Sequence, residues 1–330
     1  MIVLKIHWPL KVASLFCLLW LGACGHHEEQ TTLRLAHTLD AQHPVHKAMI
    51  YMNERLLLHS KGAMKLEIYP SGQLGSEREV IELLQIGSLS MTKVSASSIE
   101  AFVPQMKIFS LPYLFSSQDH LWRTLNGDIG NELLNAGVPY RIRGLGYYDA
   151  GSRSFYSTKK QIRSPNDLVG MKIRVLSSQS AVEMIKAMGG SATPISWGEL
   201  YTSLQQGVVD GAENNLPSFY LSKHYEVCKF LILDEHTSIP DVMIVSSRVR
   251  DKLTTQEQQW LKIAMDESTE YQRNLWQKAS DEALAAITTA GVQVITADKS
   301  QFQASVESLL EAQAQTELGP LIHRIKKIEP

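Results

Sequence analysis

Arginine is the side chain best matched to a carboxylate guest, because its guanidinium offers two parallel N–H donors in one plane where an ammonium offers a point charge. Three residues of this chain are suited to such a seat. Arg174 lies inside "MKIRVLSS", Arg153 closes the loop "DAGSR", and Asn214 sits in "DGAENN". The run "SSQS" that follows Arg174 is small and polar, as the rim of an anion site should be. Strand alternation in "MKIRVL" puts Met171, Ile173 and Val175 on one face and Lys172, Arg174 and Leu176 on the other, so a solvated strand face is the competing account of Arg174. Convergence of the three side chains in space would separate the two.

Other chemistries find less support. The chain has no CxxC, HExxH, GxSxG or Walker motif, and "GLGYYD" from Gly144 lacks the third glycine of a dinucleotide turn, so no enzyme class and no cofactor is indicated. Among eleven histidines, His43 and His46 in "HPVH" and the adjacent His26 and His27 have no second pair at a metal-site spacing. Surface or helix-capping roles are expected for them, and no metal. Cys228, in the apolar "HYEVCKFLIL", reads as a buried structural thiol.

The elements that must position the three residues alternate between strand and helix. "TLRLAHT" alternates as a strand, "HPVHKAMIYMNERLLLHSKG" reads as a helix closed by Gly62, and "AMKLEIYPSGQLG" as a strand running into a turn. Ser76 and Glu79 are spaced as a capping box, and the helix they open stops at Gly87 before a further strand. Leu84, Gln85 and Gly87 return as Leu204, Gln205 and Gly207 at the same offsets, which suggests two lobes of similar build. Thr254 and Glu257 form a second capping box, after which Trp260, Ile263, Ala264, Tyr271, Leu275 and Ala279 follow helical spacing toward Gly291. A helix of that length, roughly 50 Å at about 1.5 Å per residue, would span both lobes.

The N-terminus reads as an export signal. Lys5 and Lys11 precede the apolar "VASLFCLLWLGA", which is too short for a stable membrane span, and "LGAC" ends at Cys24. That tetrad resembles a bacterial lipobox, which implies cleavage after residue 23 and a lipid anchor on Cys24; ordinary cleavage is the alternative. The formal charge of -2 without a long run of one sign argues against a nucleic-acid groove or a polybasic membrane patch, so the lipid is the one membrane contact expected.

The segments "YYDAGSRSFYSTKKQIRSPNDLVGMKIRV", "ATPISWGELYTSLQQGVVDGAENN" and "HYEVCKFLILDEH" resemble, in order and spacing, the solute-binding component of tripartite ATP-independent periplasmic (TRAP) transporters. The likeness runs from about residue 33 to 315. It implies an α/β, two-lobed periplasmic binding protein, each lobe a mixed sheet flanked by helices, that closes on an organic acid and passes it to a small and a large membrane subunit. The expected division is residues 33–149 with 238–265 in lobe I and 150–237 with 266–330 in lobe II, after a leader (1–23) and a tether (24–32), with the spanning helix at about 255–290.

The family's carboxylate-holding arginine falls on Arg174, its second arginine on Arg153 and its ligand asparagine on Asn214; its packing aromatic falls on Trp197, for which a core anchor at a helix start is the alternative. In lobe I, His37, Thr38, Glu77 and Ser95 are the candidate contacts, Ser95 standing where a sialic-acid-binding branch has an acid. Asp241 in "IPDVMIVSS" either reaches the cleft or serves between the lobes. The resemblance is to the branch that takes hexuronates and related sugar acids. A C4-dicarboxylate is the alternative, with Lys93 as its second cationic seat, and a ligand-presenting sensor subunit is a third reading.

Overall fold

The computed structural model describes Ile2 and residues 30–329; the leader, the tether as far as residue 29 and the proposed acylation site Cys24 lie outside the described residues. Two sheets organise the rest. The first takes β1 (Thr31–Ala36), β2 (Met64–Tyr69), β3 (Met91–Ser95), β4 (Ile142–Tyr148) and β10 (Asp241–Ser246), in the order β2-β1-β3-β10-β4. The second takes β5 (Arg153–Ser157), β6 (Lys172–Val175), β7 (Ser191–Pro194), β8 (Gly211–Asn214), β9 (Phe230–Thr237) and β11 (Gln293–Thr296), in the order β11-β9-β5-β8-β6-β7. Both sheets are mixed. β10 runs antiparallel to β3 and β4, and β5 antiparallel to β8 and β9, while the remaining pairs are parallel. Helices cover both faces of central strands, which is why β3 and β8 are buried at every residue.

The turn chemistry acts as the sequence suggests. Ser76 and Glu79 close a reciprocal capping box on the helix Glu77–Ile86, and Gly87 ends it with φ 83°, a conformation that a β-carbon disfavours. The repeated pattern is real as geometry: helix, positive-φ glycine and strand recur at Leu200–Gln205, Gly207 and β8. Ser95 and Asn214 consequently stand at equivalent strand ends in the two lobes.

The helix Thr255–Thr289 spans both lobes, with Leu261, Ala264, Met265 and Trp276 in a core of the first and Ile287 in a core of the second. Its buried stripe is not the apolar series read from the sequence. Of that series Ala264 is buried, Tyr271 is exposed and stacks on Tyr51, and the stripe includes Ser268 and Gln272. Ser268 Oγ donates to Ala48 O, and Gln272 accepts from Asp149 N and donates to Asp149 O. Polar residues that satisfy one another across an interface are invisible to a hydrophobic pattern.

Two segments depart from the expected division: the long helix still packs on the first lobe beyond residue 265, as far as Trp276, and so does the last helix. The helix Gly319–Lys326 packs Leu321, Ile322 and Ile325 into the core of the first lobe, and His120 Nε2 lies 3.0 Å from Ile325 O. The preceding helix, Lys299–Ala314, buries Phe302 and Val306 in the second. An amphipathic period shows that a helix has a face to bury, not which neighbour buries it.

Candidate functional site

Between the sheets lies a cavity of about 160 Å³ lined from both sides. The first lobe contributes Thr38, Glu77, Lys93, Ser95 and Asp241, and the second contributes Arg153, Arg174, Trp197 and Asn214. The strands explain the gathering, since β1 and β3 end, and β10 begins, at the edge of the first sheet that faces the second.

Arg174 is 1% exposed, and Ile173 and Val175 beside it are also buried, so the solvated-face account of the strand does not hold. β6 lies between β7 and β8, with Arg174 in register with Thr193 and Ala212. Its Nε donates to Ile195 O at 2.8 Å, and its guanidinium carbon stands 5.8 Å from the centre of the Trp197 ring. Nη1 has no hydrogen-bond partner, and no carboxylate lies within ion-pair distance, among the described residues. Burial lowers its pKa, with Tyr156 and Glu213 opposing the shift. A guanidinium kept out of water with a donor unspent is the chemistry of an anion seat.

Arg153 is buried too, but its charge is already answered. Its Nε pairs with Glu213 Oε2, Nη2 donates to Glu213 Oε1 and to Glu213 O at 2.8 Å each, and Nη1 donates to Asn214 Oδ1 at 2.9 Å. Of five N–H donors only one on Nη1 is left. Asn214 Oδ1 also accepts from Asn215 N, which leaves the Asn214 amide group to donate. Behind Glu213, His236 sits 3.5 Å from Oε2 and holds Asp234 at 2.7 Å through Nδ1. Burial opposes both charges in this chain. Arg153 and His236 nevertheless hold the Glu213 carboxyl down at about 2, and Asp234 and Glu213 raise the His236 imidazolium to about 9.

The first-lobe candidates divide. Thr38, Glu77, Ser95 and Asp241 reach the cavity wall; His37 does not. His37 Nδ1 accepts from Leu39 N, so Nε2 carries the proton toward His46 Nδ1, 2.9 Å away, and both ring nitrogens are occupied. Burial, then Lys93, lowers its pKa to about 2, so the ring is neutral. Glu77 takes the Ser95 amide at 3.1 Å and the Ser98 hydroxyl at 2.5 Å, fastening the turn after β3. Asp241 holds Lys93 Nζ at 3.1 Å, with Glu77 at 3.7 Å. Lys93 is therefore enclosed by two acids rather than offered as a free cation.

The Trp197 ring lines the cavity and packs on His224 at 5.2 Å and against apolar clusters of both lobes. Sequence reasoning missed Glu213, His236 and the direct bridges between lobes. Asp234 and His236, two apart and so on one face of a strand that opens with the apolar run Phe230 to Leu233, were the available signal for the buried network. The bridges have none: Glu100 Oε1 accepts Ser180 N at the start of the helix Gln179–Ala187, and the capping residue His43 reaches Ser218 Oγ at 3.3 Å.

The model of bacterial extracellular solute-binding protein family 7 matches residues 35–317. YiiZ of Salmonella typhimurium is 36% identical over 304 residues, 92% of each chain. Among solved structures, the TRAP periplasmic solute-binding protein of Xanthobacter autotrophicus with bound β-D-galacturonate superposes with a TM-score of 0.87 at 38% identity, covering 90% of this chain and 100% of that one. The corresponding protein of Pseudomonas putida F1 with bound D-glucuronate gives a TM-score of 0.88 at 34% identity, covering 91% and 98%.

Proposed function

Since this chain belongs to bacterial extracellular solute-binding protein family 7, the receptors of TRAP transporters, we propose that its own ligand is a hexuronate, held by the carboxylate on Arg174. The observation that carries this reading is the division of charge in the cleft. Arg153 and Lys93 each have acidic partners, whereas Arg174 alone among these three has none within ion-pair distance among the described residues. One anionic group is matched; a second is not. Around that seat stand donors and acceptors suited to hydroxyls, namely the Asn214 amide, the remaining Arg153 N–H and the hydroxyls of Thr38 and Ser95. Relatives with bound galacturonate and glucuronate support the same class.

The mechanism is lobe closure. Ligand contacts come from both lobes, so the closed state is favoured by as much as the ligand binds it better than the open one. As in the rest of the family, the loaded protein works with membrane components; we assign the small and large TRAP subunits to that role and a lipid anchor on Cys24 to keeping the protein near them. No helix among the described residues is long and apolar enough to cross a membrane.

Titration calorimetry with galacturonate, glucuronate, succinate and malate tests the ligand class. A hexuronate should bind about a hundredfold more tightly than either dicarboxylate, close to 3 kcal/mol, because the second carboxylate of the latter would face the Glu77–Lys93–Asp241 group without a free cation. Equal or tighter binding of succinate would overturn the assignment.

Closure itself is open to a separate test. Glu100 ties the first lobe to the amino end of a second-lobe helix, a hydrogen bond that the helix dipole strengthens. Glu100→Gln should speed ligand release about fivefold, roughly 1 kcal/mol, in a stopped-flow displacement experiment, with the calorimetric ligand preference unchanged. An unaltered release rate would show that the contact does not hold the lobes together.

A further inference from the structure

The ends of the first-lobe strands remote from the cleft form a surface that the function above does not use. β1 and β3 begin there, β10 ends there and β4 begins there. Four arginines meet on it from two distant segments of the chain. Arg141 O accepts Ser247 N at 3.1 Å, Arg143 is in register with Val245, and Arg248 and Arg250 lie on the turn of helix that follows β10. Arg141 and Arg248 are exposed and the other two half-buried. None of the four has an acidic partner within ion-pair distance among the described residues, although Asp251 lies near. In their midst are two large apolar side chains left in water, Ile86 at 59% and Tyr140 at 42% exposure. Gln85 Nε2 holds Tyr140 O at 2.9 Å, and Arg248 packs beside Gly87.

We propose that this arginine-ringed pole rests on an anionic lipid surface. A tyrosine and an isoleucine within a ring of guanidinium groups suit the boundary between headgroups and acyl chains, where aromatic rings and arginines are both favoured. The position of the chain entry favours lipid over another acidic partner. β1 leaves this pole at Thr31, so if Cys24 carries the lipid, six residues separate the anchor from the sheet, a reach over seven residue steps of at most roughly 25 Å. Arginines so placed add electrostatic attraction that falls off within a Debye length. The consequence for function is orientation. The cleft lies at the opposite ends of the same strands, so the protein at rest holds its binding site toward the aqueous phase.

The test uses the full chain carrying Cys24→Ser, so that no acyl group contributes and whatever residues 1–29 add is common to every arm. Sedimentation with vesicles should show about tenfold more protein bound when phosphatidylglycerol replaces part of the phosphatidylcholine at low salt, and the excess should vanish at high salt. Arg141→Glu combined with Arg248→Glu should bring binding on anionic vesicles down to the neutral level. Ile86→Ser combined with Tyr140→Ser should reduce it several-fold while keeping the salt dependence. All four positions are on the surface, and an unchanged thermal midpoint verifies that each variant is folded. Equal binding to both vesicle types, or no response to charge reversal, overturns the proposal. Binding to polyglutamate without a preference for anionic vesicles would also overturn it and assign the pole to an acidic protein.

Discussion

Arg174→Ala should lose about 3–5 kcal/mol of hexuronate binding in titration calorimetry, the scale on which one partner of a buried charged pair is removed. Arg174→Lys should restore little, because an ammonium cannot present two coplanar donors to a carboxylate and would lose the bond from Nε to Ile195 O. A second measurement separates a ligand seat from a structural side chain. Arg174 is desolvated and no group among the described residues partners its Nη1, so its charge is a cost to folding that a bound carboxylate would offset. Arg174→Met should therefore melt at or above the wild-type temperature without ligand, and gain no thermal shift when hexuronate is added. Near-native affinity in the alanine variant, or a steep fall in the melting temperature of the methionine variant, would remove Arg174 from the role assigned to it.

The buried chain from Arg153 to Asp234 should set the alkaline limb of the response of stability to pH. His236 is raised to about 9 in the folded protein from an ordinary value near 6.5, so its contribution is fully present below about pH 6.5 and is lost as pH rises through 9. At about 1.36 kcal/mol for each tenfold change in proton affinity, that contribution is of the order of 3 kcal/mol. Glu213 is held at about 2, so its contribution is present above its unfolded value and lost as pH falls through 2. On the acid side His37, His43 and His224, kept neutral chiefly by burial, add a slope of their own, because the unfolded chain takes up protons below pH 6.5 that the folded chain does not. Stability therefore falls with acidity there as well.

Denaturant unfolding should accordingly give a maximum near pH 6.5. His236→Gln should flatten the alkaline limb without altering the acid one. Glu213→Gln, which leaves the Arg153 guanidinium buried without its carboxylate, should cost about 3–5 kcal/mol at neutral pH. An alkaline limb as steep in His236→Gln as in wild type would contradict the charge assignment of this network.

Much of the architecture follows from local rules that act within a few residues. Capping boxes at Ser76 and Thr254, the glycine stop at Gly87, and strands with small polar ends each depend on neighbours in the chain. The family likeness rests on such segments kept in order, and Arg174, Arg153 and Asn214 stand within them. Their roles in the site were less legible. Nothing in "DAGSR" distinguishes an arginine bound to Glu213 from one left free, because the pairing is between strands sixty residues apart. His37 looked available beside Thr38 until His46, in the first turn of the next helix, took its second nitrogen.

By itself, then, the amino-acid order determines what each short segment can become, and which side chains are chemically able to seat a carboxylate. Tertiary structure decided which charges are spent on one another, which lobe receives the last helix, and that arginines at positions 141, 143, 248 and 250 form one surface although no run of basic residues announces it. The physical reason is range. Helix and turn preferences act between near neighbours along the chain, whereas ion pairing and desolvation depend on distance in space, which only the folded chain sets.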